Sequence, residues 1–282
     1  MIFSRRNFLR LSGLGLLASQ APGSLARDLG SVHKSSDHNM PFELGIASYT
    51  FREFSLEDTI AMTGRLGIRN IALKSMHMPL DSSTAEIDRV AAAIRNEGIN
   101  LYGAGVIYMS SEEEVNNAFD YAKQAGLKVI IGVPDHDLLD LCSRKVQEYD
   151  IKLAIHNHGP GDEKYPSPES AYTRVKDLDP RMGLCMDIGH AVRIGLDPVR
   201  ETSRFFDRLH DVHIKDVDKA EASGTTVEIG RGIIDIPAFV KLLVEKKYTG
   251  VVSFEYEKDA GDPLPGLAES VGFVRGVLQC TG

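Results

Sequence analysis

This chain is short of positive charge, of paired cysteines and of long apolar runs, and each shortage removes a class of protein. Its 32 basic residues are outnumbered by 40 acidic ones, for a formal net charge of −8. The charge falls to −11 if the first 26 residues, which hold three arginines and no acids, are removed. So acidic a surface repels a phosphate backbone and excludes a nucleic-acid partner. Cys142, Cys185 and Cys280 are odd in number and far apart, so no disulfide framework is implied, and Cys185 reads as a small buried hydrophobe. The apolar run from Leu11 to Ala18 is far short of the roughly 20 residues that cross a bilayer, so no permanent membrane span is expected. The first strand candidate runs into Gly45-Ile-Ala-Ser-Tyr-Thr50, which offers no glycine-rich phosphate loop and counts against an open doubly wound sheet. Arginines form no phosphate clamp, and Arg231 stands alone as a candidate substrate contact.

What is present begins with a processing segment. Ser4-Arg-Arg-Asn-Phe-Leu-Arg10 precedes the short apolar run, and a small-residue site follows at Ser24-Leu-Ala26. A charged start, a short apolar middle and such an end describe an export signal over residues 1–26. Arg5-Arg6 followed by Phe8-Leu9 resembles the twin-arginine type, which exports proteins already folded, often with a cofactor in place; the expected location is the periplasm. Residues 27–40 are polar and read as a linker. Residues 41–282, in a chain with 43% hydrophobic residues, suffice for one substantial core.

From Phe42 onward, strand-like and helix-like segments alternate. The strand candidates are Leu44–Ala47, Asn70–Leu73, Asn100–Val106, Lys128–Val133, Ile151–Ile155, Gly183–Met186, Leu209–Ile214 and Gly250–Phe254. The helical patterns are Ser55–Leu66, Thr84–Glu97, Ser111–Ala125, Leu138–Tyr149, Pro168–Leu178, Pro198–Phe206, Ile236–Lys247 and Pro265–Gln279. Ser55 and Ser111, each with acids in the turn that follows, are start signals; Gly67, Gly98, Gly126 and Gly250 are stops. Strands alternating with helices imply parallel pairing through right-handed crossovers, and eight of each imply an α/β fold of the closed (β/α)8 barrel type in a single domain.

Four runs in the second half end in a residue able to bind a metal. Ile151–Ile155 meets His156, Gly183–Met186 meets Asp187, Leu209–Val212 meets His213, and Val251–Phe254 meets Glu255. Each alone is a satisfied polar group at a strand end. In a barrel, all four fall on the rim where the C-terminal strand ends gather, and there they form a ring around one point. Two imidazoles and two carboxylates suit one divalent ion, Mn²⁺, Zn²⁺ or Co²⁺, better than Ca²⁺ or a thiolate-bound metal.

These residues carry a resemblance to the xylose-isomerase-like barrel superfamily, which includes sugar isomerases and epimerases and inosose dehydratases. Ile155-His-Asn-His-Gly159 is similar to its Glu-Asn-His-Gly ending of the fifth strand, Asp187-Ile-Gly-His190 to an Asp-x-x-His segment, and Asp211-Val-His-Ile-Lys-Asp216 to a His-x-Lys-Asp run. Gly230-Arg-Gly232 resembles the Gly-x-Gly loop that follows, and Tyr248-Thr-Gly-Val-Val-Ser-Phe-Glu255 the last-strand ending. The resemblance implies His156, Asp187, His213 and Glu255 as metal ligands, and His77 as the counterpart of a pocket histidine after the second strand. The chain departs from the pattern at His156, where the family commonly carries a glutamate. His156 then either remains a ligand, or it or His158 works as a base with a pKa near neutrality.

A divalent ion polarising a sugar carbonyl would stabilise the enediolate left by loss of the α-proton. Glu255 is the candidate base, and His190 and Lys215 would reach substrate oxygens. Lys215 also reads as a strand-end lysine reaching solvent, and His190 as a cap of its own loop. The long loop Gly159–Pro168 suggests Tyr165 and Lys164 as substrate contacts. The expected substrate is a small carbohydrate. The first expected activity is metal-dependent sugar isomerisation or epimerisation. A keto-sugar or 3-keto-glycoside lyase or hydratase is the second, favoured by export and by the glutamate-to-histidine change, and a non-catalytic sugar-binding barrel is the third. The oligomeric state is left open.

Overall fold

The computed structural model describes residues 41–281, and the segments read as export signal (1–26) and linker (27–40) lie outside them. Eight strands close a parallel barrel: β1 (Glu43–Ala47), β2 (Asn70–Leu73), β3 (Asn100–Met109), β4 (Val129–Pro134), β5 (Lys152–His156), β6 (Met182–Asp187), β7 (Leu209–Ile214) and, after a small ribbon of β8 (Asp216–Val217) with β9 (Thr226–Val227), β10 (Val251–Phe254). Neighbours follow chain order, and β10 pairs with both β7 and β1 to seal the ring. The outer layer is α1 (Leu56–Arg65), α2 (Thr84–Asn96), α3 (Glu112–Ala125), α4 (Leu139–Tyr149), α5 (Pro168–Val175), α6 (Ile188–Arg193), α7 (Pro198–Arg204), α8 (Ile236–Glu245) and α9 (Leu264–Thr281). The expected (β/α)8 barrel is what forms, and among the described residues no helix is long and apolar enough to cross a membrane.

Local chemistry sets the helix ends. Ser55 Oγ accepts from the Asp58 N–H, Ser83 and Glu86 make a reciprocal capping box, and Ser111 Oγ accepts from the Glu114 N–H. Four departures from the sequence reading matter for the site. β3 runs on to Met109, because Ile107 and Met109 continue the buried alternation, and this places Tyr108 at the mouth. A short α6 follows β6 at once, capped by Asp187 itself. The helical segment expected over 198–206 stops at Arg204 and gives way to a 3₁₀ turn at Phe206–Arg208. The loop that includes Arg231 follows the β8–β9 ribbon and leads into α8.

Side chains two residues apart share a face of a strand, so Cys185, Asp211 and Ser253 lie one layer beneath Asp187, His213 and Glu255. All three are fully buried. Tyr102 Oη bridges this layer, lying 2.5 Å from Ser253 Oγ and donating to Asp211 Oδ2 at 3.1 Å. Burial raises the Asp211 carboxyl to about 7. The floor of the mouth is therefore packed and satisfied, which fixes the height of the residues above it.

Candidate active site

His156 and Asp187 are the last residues of β5 and β6, His213 lies one residue before the end of β7, and Glu255 follows β10. Ladder pairing sets Asp187 beside His213, and Ser253 beside His213 from the other side. Strand register alone thus gathers the four expected ligands, and all are buried. His156 Nε2 lies 3.1 Å from His213 Nδ1 and 3.5 Å from Asp187 Oδ2, and His213 Nδ1 lies 3.2 Å from Glu255 Oε2.

These residues fit a divalent ion. One donor atom from each lies within 4.8 Å of every other. A four-coordinate ion with bonds of about 2.0–2.1 Å sets neighbouring donors about 3.3–3.4 Å apart, a spacing that falls within the 3.1–3.5 Å range of the observed contacts. Burial pushes His156 down to about 3, with further lowering from His213 and His158, so its imidazole is neutral and keeps a lone pair for a cation. Asp187 divides its two oxygens: Oδ1 accepts from the His190 N–H at 2.7 Å, capping α6, while Oδ2 turns into the site. The Asn157 side chain clamps the Asp187 backbone with two 3.0 Å hydrogen bonds.

Lys215, two residues beyond His213, completes the set. Its Nζ lies 2.9 Å from Asp187 Oδ2, 2.7 Å from Glu255 Oε2 and 2.8 Å from Glu257 Oε2, with the side chain only 2% exposed. Burial would strip its charge, but Asp187, Glu255 and Glu257 outweigh that and hold it an ammonium. Burial likewise favours protonated carboxyls at Asp187 and Glu255. At Asp187, His190 and Lys215 overcome this, and at Glu255, Lys215 and His213 do, so both stay ionised. The lysine stem reaches this depth because residue 189 is glycine. A Cβ there would fall 2.4 Å from Lys215 Cγ.

Above the ligands is a cavity of about 320 Å³, large enough for a small polar molecule. Its walls are Tyr49, Lys74, Val106, Tyr108, His156, His158, His190, Glu255 and Glu257. Two histidines on its rim face opposite kinds of partner. His158 Nδ1 lies 3.4 Å from Asp162 Oδ2, a carboxylate that can only accept, and its Nε2 lies 3.2 Å from Tyr108 Oη. His190 Nδ1 lies 3.4 Å from Arg193 Nη1, which can only donate. These partners favour the ring proton on Nδ1 of His158 and on Nε2 of His190. One ring offers a lone pair at Nε2 and the other an N–H. Burial lowers the pKa of both, with His190 adding to the effect at His158, so both are neutral near pH 7.

The structure gathers His156, Asp187, His213, Glu255, His158, His190 and Lys215 at the mouth. It places the four expected substrate contacts elsewhere. His77 is buried, its Nδ1 2.9 Å from Ser48 Oγ and its Nε2 3.1 Å from Thr59 Oγ1, outside the cavity wall. Tyr165 is fully buried with Oη donating to the Pro134 carbonyl, and Lys164 pairs with Asp135. Arg231 is exposed and forms a two-pronged pair with Glu269 at 2.6 Å. Its loop is organised by Asp216, whose carboxylate accepts from the N–H groups of Gly230, Gly232 and Ile234. The sequence reading left out Lys74, Tyr49, Tyr108 and Glu257. Lys74 follows β2 directly, the same polar strand ending that picked out the metal ligands, and Glu257 stands two residues after Glu255 on the same side of the chain.

An inosose dehydratase of Geobacillus kaustophilus is 32% identical over 130 residues, 40% of this chain and 41% of that one, so the match spans well under two thirds of the relative. An L-ribulose 3-epimerase structure superposes with a TM-score of 0.70 at 16% identity, covering 85% of this chain and 95% of that one. The IOLI protein, solved with a bound zinc atom, gives 0.69 at 18% identity over 86% and 99%. At such identities the two structures show a shared fold. The sequence profile of the xylose isomerase-like TIM barrel matches residues 55–277, most of the described barrel, and the chain belongs to that family.

Proposed function

We propose that the protein is a divalent-metal-dependent lyase that removes a β-substituent from a keto-sugar, keto-cyclitol or 3-keto-glycoside. One observation carries this reading: the mouth holds two neutral histidines with opposite partners, His158 with Nδ1 beside the Asp162 carboxylate and Nε2 against Tyr108 Oη, and His190 with Nδ1 beside the Arg193 guanidinium, so that the first favours an accepting Nε2 and the second a donating Nε2–H. Elimination needs one base and one acid, whereas proton exchange between two faces of a carbon is served by two matched bases. His156, with its low proton affinity and its Nε2 turned to the other ligands, acts as a ligand.

A divalent ion held by His156, Asp187, His213 and Glu255 would supply Lewis-acid polarisation of the substrate carbonyl. The remaining work falls to the chain. His158 Nε2 takes the proton α to the carbonyl, and Asp162 steadies the imidazolium that forms. His190 donates a hydrogen bond from Nε2 to the departing β-oxygen, and the proton that this oxygen takes up returns from the His158 imidazolium. The C–H pair becomes the new C=C bond, and water or an alcohol leaves. Glu255 stays ionised, with Lys215 the largest influence lowering its proton affinity, and serves as a ligand. The inosose dehydratase relative favours elimination over the isomerisation that the family resemblance put first.

The test is NMR of the metal-loaded protein with a panel of keto-sugars, 3-keto-glycosides and an inosose in D₂O. A vinylic carbon with a released hydroxyl or alcohol is the expected product. Deuterium uptake at the α-carbon with every substituent still attached would replace this reading with isomerisation.

A further inference from the structure

Two lysines enter the mouth, and they are spent differently. Each ammonium has three N–H donors. Those of Lys215 meet three carboxylates. Lys74 donates to the Val106 carbonyl at 2.5 Å, and its Nζ stands 5.7 Å from the centre of the Tyr108 ring. Both partners are neutral. Two donors remain, on a side chain that lines the cavity with His156 and Glu255.

Charge counting points the same way. With a divalent ion in place, its two positive charges and that of Lys215 balance Asp187, Glu255 and Glu257. Behind the rim histidines, Asp162 and Arg193 offset one another. At the outer edge Arg52 lies over Tyr49 and donates to the Glu257 carbonyl. Among the described residues Lys74 is then the cation lining the cavity that forms no ion pair of its own. Its backbone is also fixed: the Lys74 N–H donates to Ser48 Oγ at 2.8 Å, and Ser48 is held by His77 at 2.9 Å. The buried histidine after β2 thus acts on the pocket at one remove.

We propose that Lys74 holds the substrate oxygen on which negative charge develops, so that the mouth binds the enolate form of its substrate more tightly than the neutral ketone. This rests on the lyase reading, because loss of an α-proton is what creates that charge. Burial lowers the pKa of Lys74 while Glu255 supports its charge, as expected of a cation waiting for an anion.

Oxalate, a planar dianion with two adjacent oxygens, is the probe. Its binding to zinc-loaded wild-type protein is measured by calorimetry beside Lys74→Met and Lys74→Arg, with zinc content determined on each. Lys74→Met is expected to weaken oxalate about tenfold or more with zinc content unchanged, and Lys74→Arg to stay within about threefold of wild type. If Lys74→Met does not fold, Lys74→Gln is held to the same threshold. A smaller loss, or no oxalate binding by wild type, overturns the proposal. The two readings fail separately: Lys74-dependent oxalate binding without any keto-sugar product sinks the lyase alone, and product formation with oxalate binding indifferent to Lys74 sinks this inference alone.

Discussion

Replacing Lys215 by methionine should make folding depend on the metal to a degree that can be worked out from the contacts. The change keeps the stem's bulk and removes an ammonium that touches Asp187 at 2.9 Å, Glu255 at 2.7 Å and Glu257 at 2.8 Å. Asp187 and Glu255 are buried and cannot turn to water. Leaving a buried charge without its partner costs about 3–5 kcal/mol, which sets the expected loss for the metal-free protein at neutral pH. A bound divalent ion meets the same two oxygens with a larger charge, so the loss should shrink to about 1–2 kcal/mol when zinc is saturating. The pH trend has a fixed sign. In wild type, Lys215 holds both carboxyls below their unfolded pKa, so their stabilisation is present above roughly pH 4 and persists until pH falls through the lower folded values. Without the ammonium, burial raises both pKa values, the folded state binds protons more readily than the unfolded chain, and the variant's deficit fades as pH falls toward 4. Urea unfolding of both proteins, with chelator and with zinc, at pH 7 and pH 4.5, tests all of this. A deficit below about 1 kcal/mol in chelator, or an equal deficit with and without zinc, would refute the reasoning.

Gly189→Ala introduces a methyl 2.4 Å from Lys215 Cγ and 2.6 Å from Cδ, so it should destabilise by about 1–3 kcal/mol and weaken zinc binding; wild-type values for both in denaturation and zinc titration would contradict the packing. The pKa of His158 is lowered by burial and by His190, so on any substrate found, kcat/KM should rise with pH to a plateau whose midpoint lies below about 6.5. Asp162 raises that pKa, so Asp162→Asn should move the midpoint lower and cut kcat by about tenfold to a hundredfold; a pH–rate profile with an unmoved midpoint would clear Asp162 of the role. We further propose export by the twin-arginine route: Arg5→Lys with Arg6→Lys should leave the protein in the cytoplasmic fraction, and unchanged fractionation would dismiss it.

Much of this architecture is written in local chemistry. Ser55, Ser83 and Ser111 cap helices through their own third residues, and the β5, β6, β7 and β10 endings converge because a closed parallel barrel leaves them nowhere else to go. What local pattern does not carry is which side chain spends its polar atoms on another part of the chain. Tyr165 sits in a long loop and looks available, yet its hydroxyl is taken by Pro134, 31 positions away. Arg231 stands beside two glycines like a ligand clamp, yet Glu269 on α9 claims it. The same blindness cuts the other way at Lys215, which reads as a solvent-seeking strand-end lysine until Glu257 and Asp187 close on it from separate strands.

The substitution at residue 156 is where sequence and geometry inform each other most. A glutamate there would add a third anion to Asp187 and Glu255 around one ion and would stand ready as a base. Histidine takes away both properties. The ligand shell loses one negative charge, and a neutral imidazole with its pKa near 3 cannot hold a proton at physiological pH. Proton transfer must then come from groups outside the ligand shell, and the cavity wall supplies two, His158 and His190, already held in complementary tautomers by Asp162 and Arg193. Their ring centres are 5.9 Å apart, and that of His156 lies 4.4 Å from His158 and 5.8 Å from His190. A base and a hydrogen-bond donor set side by side on the cavity wall, with Lys74 lining the same cavity, form a polarised site. That polarity suits the removal of a leaving group better than the symmetrical exchange of a proton.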